Sequence, residues 1–110
     1  MKKTSINGIY RQGDVLIQRV DEVVPKNLIK TKHNTLAFGE VTGHHHTFTD
    51  GGVTCFADTE TALPTWVKVE RTEGAPLTHQ EHDTIVLPEG TYKVTRQVEY
   101  TPGELRNVAD

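Results

Sequence analysis

Alternation of apolar and polar residues is the dominant pattern of this chain, and it predicts β-strands. Asp14–Val20 (DVLIQRV) and Thr65–Glu70 (TWVKVE) both place apolar side chains at about every second position. This spacing is typical of a strand that buries one face. In the longest such run, Thr91–Tyr100, Tyr92 and Val94 share one face. The pattern therefore predicts antiparallel strands over most of the chain.

Glycine and proline residues divide these strands and predict how they connect. Thr35–Phe48 is a second apolar stretch, and Thr84–Leu87 is a short strand that stops at a proline. Asp50-Gly51-Gly52 is a strong turn signal between two strand-like segments. We therefore expect Gly43–Thr49 and Val53–Asp58 to pair as a β-hairpin.

Helix is expected only near the end of the sequence. Thr101 is a suitable N-cap residue, and Pro102 is typical of the first helical position. Glu104 could be the acid of a capping box. These signals predict one or two helical turns over Thr101–Val108. The fold class expected for residues 1–110 is a single all-β domain, a small antiparallel barrel or sandwich with one short C-terminal helix.

Composition narrows the expected partners and compartment. The 110 residues are 35% apolar and carry a formal net charge of −3. A dedicated nucleic-acid binder would carry a basic face, and a membrane protein would carry a long apolar run, so neither partner is expected. The thin core also allows a homo-oligomer. The single Cys55 forms no internal disulfide, and a cytoplasmic location with a buried, inert thiol is expected.

Histidines are the residues most indicative of chemistry, and two clusters hold five of the six. In the first cluster, His44 and His46 project from one face of a strand and His45 from the other. Two neighbouring imidazoles on one strand are close enough to bind a single ion, and zinc, iron and manganese all accept imidazole. His33 stands alone in a lysine-rich stretch and is expected to be solvated.

The second cluster, His79-Gln80-Glu81-His82-Asp83, must be supplied from elsewhere in the fold. On a turn, His79 and His82 face one point, whereas on a strand His79 shares a face with Glu81. Together the clusters predict a site of three or four ligands, with His82 favoured over His79. The expected ligands are His44, His46, His79 and His82. Surface or hydrogen-bonding histidines are the alternative.

The function expected from such a site is metal-dependent water activation. Zinc is the first choice of cofactor, with iron or manganese open. A bound water would attack a small substrate, as in carbon dioxide hydration by a lyase or ester cleavage by a hydrolase. Glu81 is the expected proton acceptor, or a carboxylate that supports a ligand. The alternative is a non-catalytic metal- or small-molecule-binding module, or a structural or interaction protein.

Two elements of the sequence resemble a reduced cupin, namely His44-x-His46 and Pro88-Glu89-Gly90. The resemblance implies a small β-barrel around a metal held by the histidine pair, a later acid and a later histidine. The expected acid could only be Asp50, and the expected histidine after Pro-x-Gly is missing. His79 or His82 would have to replace that ligand. The ligand set is also similar to that of α-type carbonic anhydrases, whose three imidazoles hold zinc.

More closely, the chain resembles a widespread set of small bacterial and phage proteins of no established function. The matching stretches are Gln12-Gly13-Asp14-Val15-Leu16, Gly39-Glu40-Val41-Thr42-Gly43-His44, Leu77-Thr78-His79, Glu81-His82, Leu87-Pro88-Glu89-Gly90-Thr91-Tyr92 and Glu99-Tyr100-Thr101-Pro102. This resemblance implies a compact β domain with functional histidines.

Overall fold

The chain folds into short β-strands that assemble into antiparallel sheets. The computed structural model describes residues 8–38, 44–96, 98–101 and 104–107, and for the last two ranges it describes the backbone alone. The strands in these ranges are β1 (Ile9–Gln12), β2 (Val15–Val20), β3 (Ile29–Lys30), β4 (Thr35–Phe38), β5 (His45–Phe48), β6 (Val53–Ala57), β7 (Trp66–Val69), β8 (Ala75–Thr78), β9 (Ile85–Leu87), β10 (Gly90–Arg96), β11 (Val98–Thr101) and β12 (Glu104–Asn107).

Two larger sheets form a sandwich. The first has six strands in the order β1-β2-β10-β7-β6-β3, and the second has four in the order β4-β5-β8-β9. Ile17 and Tyr92 of the six-stranded sheet and Leu36 and Leu77 of the four-stranded sheet belong to one fully buried cluster. The core therefore lies between the two sheets, as in a sandwich and not in a closed barrel. The predicted all-β fold is confirmed.

The burial of individual strands follows the predicted alternation. In β2, Val15 and Ile17 are buried while Gln18 is exposed, and in β10 Tyr92 and Val94 are buried. Apolar side chains at every second position reach the core because successive side chains of a strand point to opposite faces.

The predicted hairpin across Asp50-Gly51-Gly52 is wrong. Strand β5 pairs with β4 and β8, whereas β6 pairs with β3 and β7, so the turn connects two different sheets. The turn is held by the end of β7. The backbone N–H of Glu70 donates to the carbonyl of Gly52 at 2.7 Å, and the Arg71 guanidinium lies 3.4 Å from the Asp50 carboxylate. These contacts direct the chain toward β7 and away from β5. The Gly43 end of the predicted hairpin lies outside the described residues.

The predicted C-terminal helix is also wrong. Glu104–Asn107 forms β12, which pairs with β11 so that Thr101 lies opposite Glu104 and Val98 opposite Asn107. One or two isolated helical turns make too few hydrogen bonds to offset the cost of helix nucleation, whereas strand pairing supplies backbone partners directly. Within the described ranges, no helix has the length and hydropathy needed to cross a bilayer.

Cys55 lies in the core, as predicted. Its side chain is buried in β6, and burial raises the pKa of its thiol to about 12. A thiol in this state remains protonated and is a poor nucleophile at neutral pH.

Candidate histidine site

Strand pairing in the four-stranded sheet brings the two histidine clusters together. Thr47 lies opposite Thr78 and Phe48 opposite Leu77 in the antiparallel pair of β5 and β8. Continuing this register beyond the end of β8 places His79 opposite His46. Opposed residues of an antiparallel pair present their side chains on the same face. The rings of His46 and His79 accordingly lie with their centroids 4.4 Å apart.

All four of the histidines expected as ligands lie in one cluster. The His79 ring centroid is 4.5 Å from that of His82 and 5.4 Å from that of His44. The rings of His46 and His82 are nearly parallel, with centroids 6.1 Å apart. In contrast, the His45 ring lies beside Phe38, on the other side of β5. His44 and His46 therefore lie on one face and His45 on the other, as strand alternation predicts.

His79 shapes the turn that brings His82 into the cluster. Its Nδ1 accepts the backbone N–H groups of Glu81 at 3.0 Å and of His82 at 3.2 Å. Backbone N–H groups can only donate, so Nδ1 is the unprotonated nitrogen of this ring and the neutral imidazole carries its proton on Nε2. The segment after β8 is therefore a turn, and one nitrogen of His79 is engaged in forming it.

His46 lies at the bottom of the cluster and is fully buried. Its Nδ1 lies 2.8 Å from Oε1 of Gln12, and its Nε2 lies 3.5 Å from Oδ1 of Asp14. Gln12 and Asp14 are themselves buried at the point where β1 connects to β2. Neither residue was expected from the sequence to be part of the site. The sequence shows them only as two polar residues that flank the turn glycine Gly13, a position where polar side chains are ordinarily solvated.

Gly13 allows this connection to lie directly over the imidazoles. Its φ is +58°, and a Cβ at this position would come within 2.7 Å of Nε2 of His82 and 3.3 Å of Cε1 of His46. The Nε2 atom of His82 is buried and has no hydrogen-bond partner among the described residues. The β1–β2 connection thus forms one wall of the cluster, with its backbone against the rings.

The opposite side of the cluster faces solvent. Nδ1 of His44 lies 3.8 Å from Oε2 of Glu81, and the two side chains are 21% and 64% exposed. Glu81 is therefore close enough to orient the His44 ring and accessible enough to exchange protons with water.

The ring positions define a cluster and not a closed coordination sphere. Among the described His, Cys, Asp and Glu side chains, no group of three or more stands at metal-binding geometry. The sixth histidine, His33, is separate from the cluster. It was expected to be solvated, but it is half-buried, and its Nδ1 accepts the backbone N–H of Thr35 at 3.2 Å.

Comparison with known proteins places the chain in a family. Residues 11–97 match the family described as "Domain of unknown function (DUF8820)". This range includes Gln12, Asp14 and all four clustered histidines. Searches among curated proteins and among solved structures gave no match.

Proposed function

We propose that the histidine cluster of this chain, which belongs to the DUF8820 family of domains of unknown function, binds one divalent transition-metal ion. The observation that supports this most strongly is the pair formed by Nε2 of His46 and Oδ1 of Asp14, which lie 3.5 Å apart beside further imidazoles. Imidazole and carboxylate are both ligands of zinc, iron and manganese. A buried position that gathers them favours a cation.

The ligands we propose for a catalytic site are His44, His46 and His82. If Asp14, 3.5 Å from His46, also bound the ion, the site would be closed and only the non-catalytic alternative below would apply. His79 is less suitable, because its Nδ1 accepts two backbone N–H groups and its Nε2 carries the proton. His44 and His82 are partly buried, whereas His46 is fully buried, so binding an ion beside His46 requires the His44 and His82 rings to turn toward it. Zinc remains the first choice, with iron and manganese as alternatives.

The chemistry we propose is addition of water to a small electrophilic carbon. Zinc held by three imidazoles would lower the pKa of a bound water to about 7. In carbon dioxide hydration, the water oxygen bonds to carbon and a proton is released, which gives bicarbonate. In ester hydrolysis, the acyl–oxygen bond breaks and the alcohol leaves. Glu81, at the exposed side of the cluster, would accept the proton and pass it to solvent.

The non-catalytic alternative is a cupin-like binding module, in which His44 and His46 hold an ion that only anchors a small molecule. The same ligands serve both functions, so metal binding alone does not separate them. A catalytic site requires one ligand position that exchanges with water, whereas a closed site of four protein ligands offers none.

Metal content of untagged protein tests the proposal directly. Mass spectrometry after reconstitution should find about one zinc, iron or manganese ion per chain. His46→Ala should abolish retention, and His44→Ala and His82→Ala should weaken it strongly. His45→Ala is the control, because its ring packs against Phe38 and contacts the turn through Gln80 at 3.4 Å, and it should affect metal retention much less. A wild-type content far below one ion per chain after reconstitution would refute the site.

A further inference from the structure

We infer that Gln12 is a positioning residue that holds the proton of His46 on Nδ1 and thereby turns the lone pair of Nε2 toward Asp14. The side-chain amide of Gln12 has a defined orientation. Its Nε2 donates to the backbone carbonyls of Leu77 at 2.9 Å and Asp83 at 2.8 Å. Carbonyl oxygens only accept hydrogen bonds, so the atom facing them must be the NH2 group. Both of its protons are engaged, and the amide has one permitted orientation.

This orientation determines the protonation of His46. The remaining amide atom, Oε1, lies 2.8 Å from Nδ1 of His46. An amide oxygen cannot donate, so Nδ1 must carry a proton for this contact to be a hydrogen bond. When the imidazole is neutral it has one N–H group, so the lone pair is on Nε2, 3.5 Å from Oδ1 of Asp14. Two acceptors then face each other across a gap that a cation would fill, whereas a ring protonated on both nitrogens would pair with the carboxylate directly. Histidines that bind a metal through one nitrogen commonly donate from the other in this way.

Gln12 also holds the turn that supplies the other histidines. Leu77 precedes this turn and Asp83 follows it, and His79 and His82 lie between them. One amide group therefore joins the end of β1, His46 on β5, and both ends of the turn. A side chain that lacked the amide would leave two carbonyls and one imidazole N–H without these contacts, which is costly where the groups are buried.

The position of the proton can be measured without any metal. In chelated wild-type protein at mildly alkaline pH, nitrogen-15 spectra of the histidine rings should show His46 as the Nδ1–H tautomer. An Nε2–H tautomer, or a ring protonated on both nitrogens under these conditions, would overturn the inference. This result does not depend on whether the cluster binds an ion.

Variants at residue 12 test whether the amide is the cause. Gln12→Met keeps the approximate length of the side chain but removes the acceptor, so His46 should shift toward a mixture of tautomers. Gln12→Glu keeps an acceptor facing Nδ1 and should retain the Nδ1 proton, although it loses the donors to the carbonyls of Leu77 and Asp83 and should therefore be less stable. Gln18→Ala, on the exposed face of β2, is the control and should leave the ring spectra unchanged. A folded Gln12→Met protein with an unchanged His46 spectrum would refute the role of Gln12.

The effect of Gln12 on metal affinity rests on the proposed metal site, whereas its effect on the His46 tautomer does not. Measuring zinc affinity therefore tests the two separately. If His46 binds through Nε2, Gln12→Met should weaken zinc binding about 10- to 100-fold, the usual effect of removing the residue that orients a ligand. Unchanged zinc affinity in that variant would overturn the positioning role and leave the metal site standing. Absence of zinc binding in wild type, together with the expected tautomer, would refute the metal site and leave Gln12 as the residue that positions His46.

Discussion

At Gly13 the backbone of the β1–β2 connection lies directly against the His46 and His82 rings. The positive φ of Gly13 disfavours any side chain, and an added Cβ would lie 2.7 Å from Nε2 of His82. We expect Gly13→Ala to lower the free energy of unfolding by about 1–3 kcal/mol. It should also displace His82 and weaken metal retention. Urea denaturation measures the first effect and metal analysis the second.

Gly51→Ala is the matched control for this substitution. A Cβ at Gly51 would meet no atom within 4 Å, and the residue lies in the exposed turn between β5 and β6. Its stability should change by less than about 0.5 kcal/mol, as surface substitutions usually do. Equal effects of the two substitutions would show that close packing against His82 is not what requires glycine at residue 13.

Cys55 gives a second prediction for a single residue. Because burial raises the pKa of its thiol to about 12, little thiolate is present at neutral pH and reagents have no access to it. An aromatic disulfide reagent should label native protein far more slowly than protein unfolded in urea. Labelling of native protein at the unfolded rate, with loss of bound metal, would instead make Cys55 part of the functional site.

The sequence alone identifies some of these side chains and not others. The shared face of His44 and His46 follows from the period of a strand, which depends only on local geometry. The roles of Gln12 and Asp14 depend on which strands meet in the fold. A polar residue beside a turn glycine is expected in solvent, so only the packing of β1–β2 against β5 shows that both are buried beside His46.

At the scale of elements, strand positions were predictable and strand partners were not. β2, β7 and β10 follow the period-two pattern, whereas β1, β3 and β8 are short and were not predicted. A turn sequence indicates that the chain reverses, but it does not determine whether the next strand joins the same sheet. Across Asp50-Gly51-Gly52 this was decided by contacts with Glu70 and Arg71, which are distant in sequence.

Tyr92 gives a prediction for the stability of strand β10. Its hydroxyl donates to the carbonyl of Pro88 at the start of the strand, and burial raises the pKa of the phenol to about 12. The folded state therefore retains this proton more strongly than the unfolded state, in which the pKa is about 10. The stabilisation is present below about pH 10 and is lost as the pH rises from there toward 12.

Denaturation as a function of pH measures this loss. Tyr92→Phe should cost about 1 kcal/mol at neutral pH, since it removes one hydrogen bond, and it should make the decline above pH 10 less steep. Cys55 contributes to the same alkaline decline, so part of the slope should remain in the variant. An identical alkaline slope in wild type and Tyr92→Phe would show that this phenol does not titrate on unfolding.

At the scale of the whole molecule, the candidate site is shared between the two sheets. His46 belongs to the four-stranded sheet, while Gln12 and Asp14 belong to the connection between β1 and β2 of the six-stranded sheet. Pairing of β5 with β8 brings the histidines together, but His46 meets Gln12 and Asp14 only when the sandwich closes. A ligand that binds the assembled cluster and not the unfolded chain must stabilise the fold, by about 2.7 kcal/mol at a free concentration 100 times its dissociation constant.

The last prediction separates an enzyme from a binding module. If an ion held by His44, His46 and His82 leaves one position for water, metal-loaded protein should accelerate carbon dioxide hydration or cleavage of an activated ester. The rate should rise with pH through one ionisation near about 7, because the deprotonated water is the nucleophile. Stopped-flow hydration and ester assays on loaded and chelated protein measure this rate.

Glu81→Gln should slow turnover more than it weakens metal retention. Glu70→Gln is the control, because Glu70 is an exposed carboxylate paired with Lys68, and it should change neither. Equal rates with and without metal would exclude the hydratase and hydrolase functions together, and the cluster would then be a binding site that performs no chemistry on these substrates.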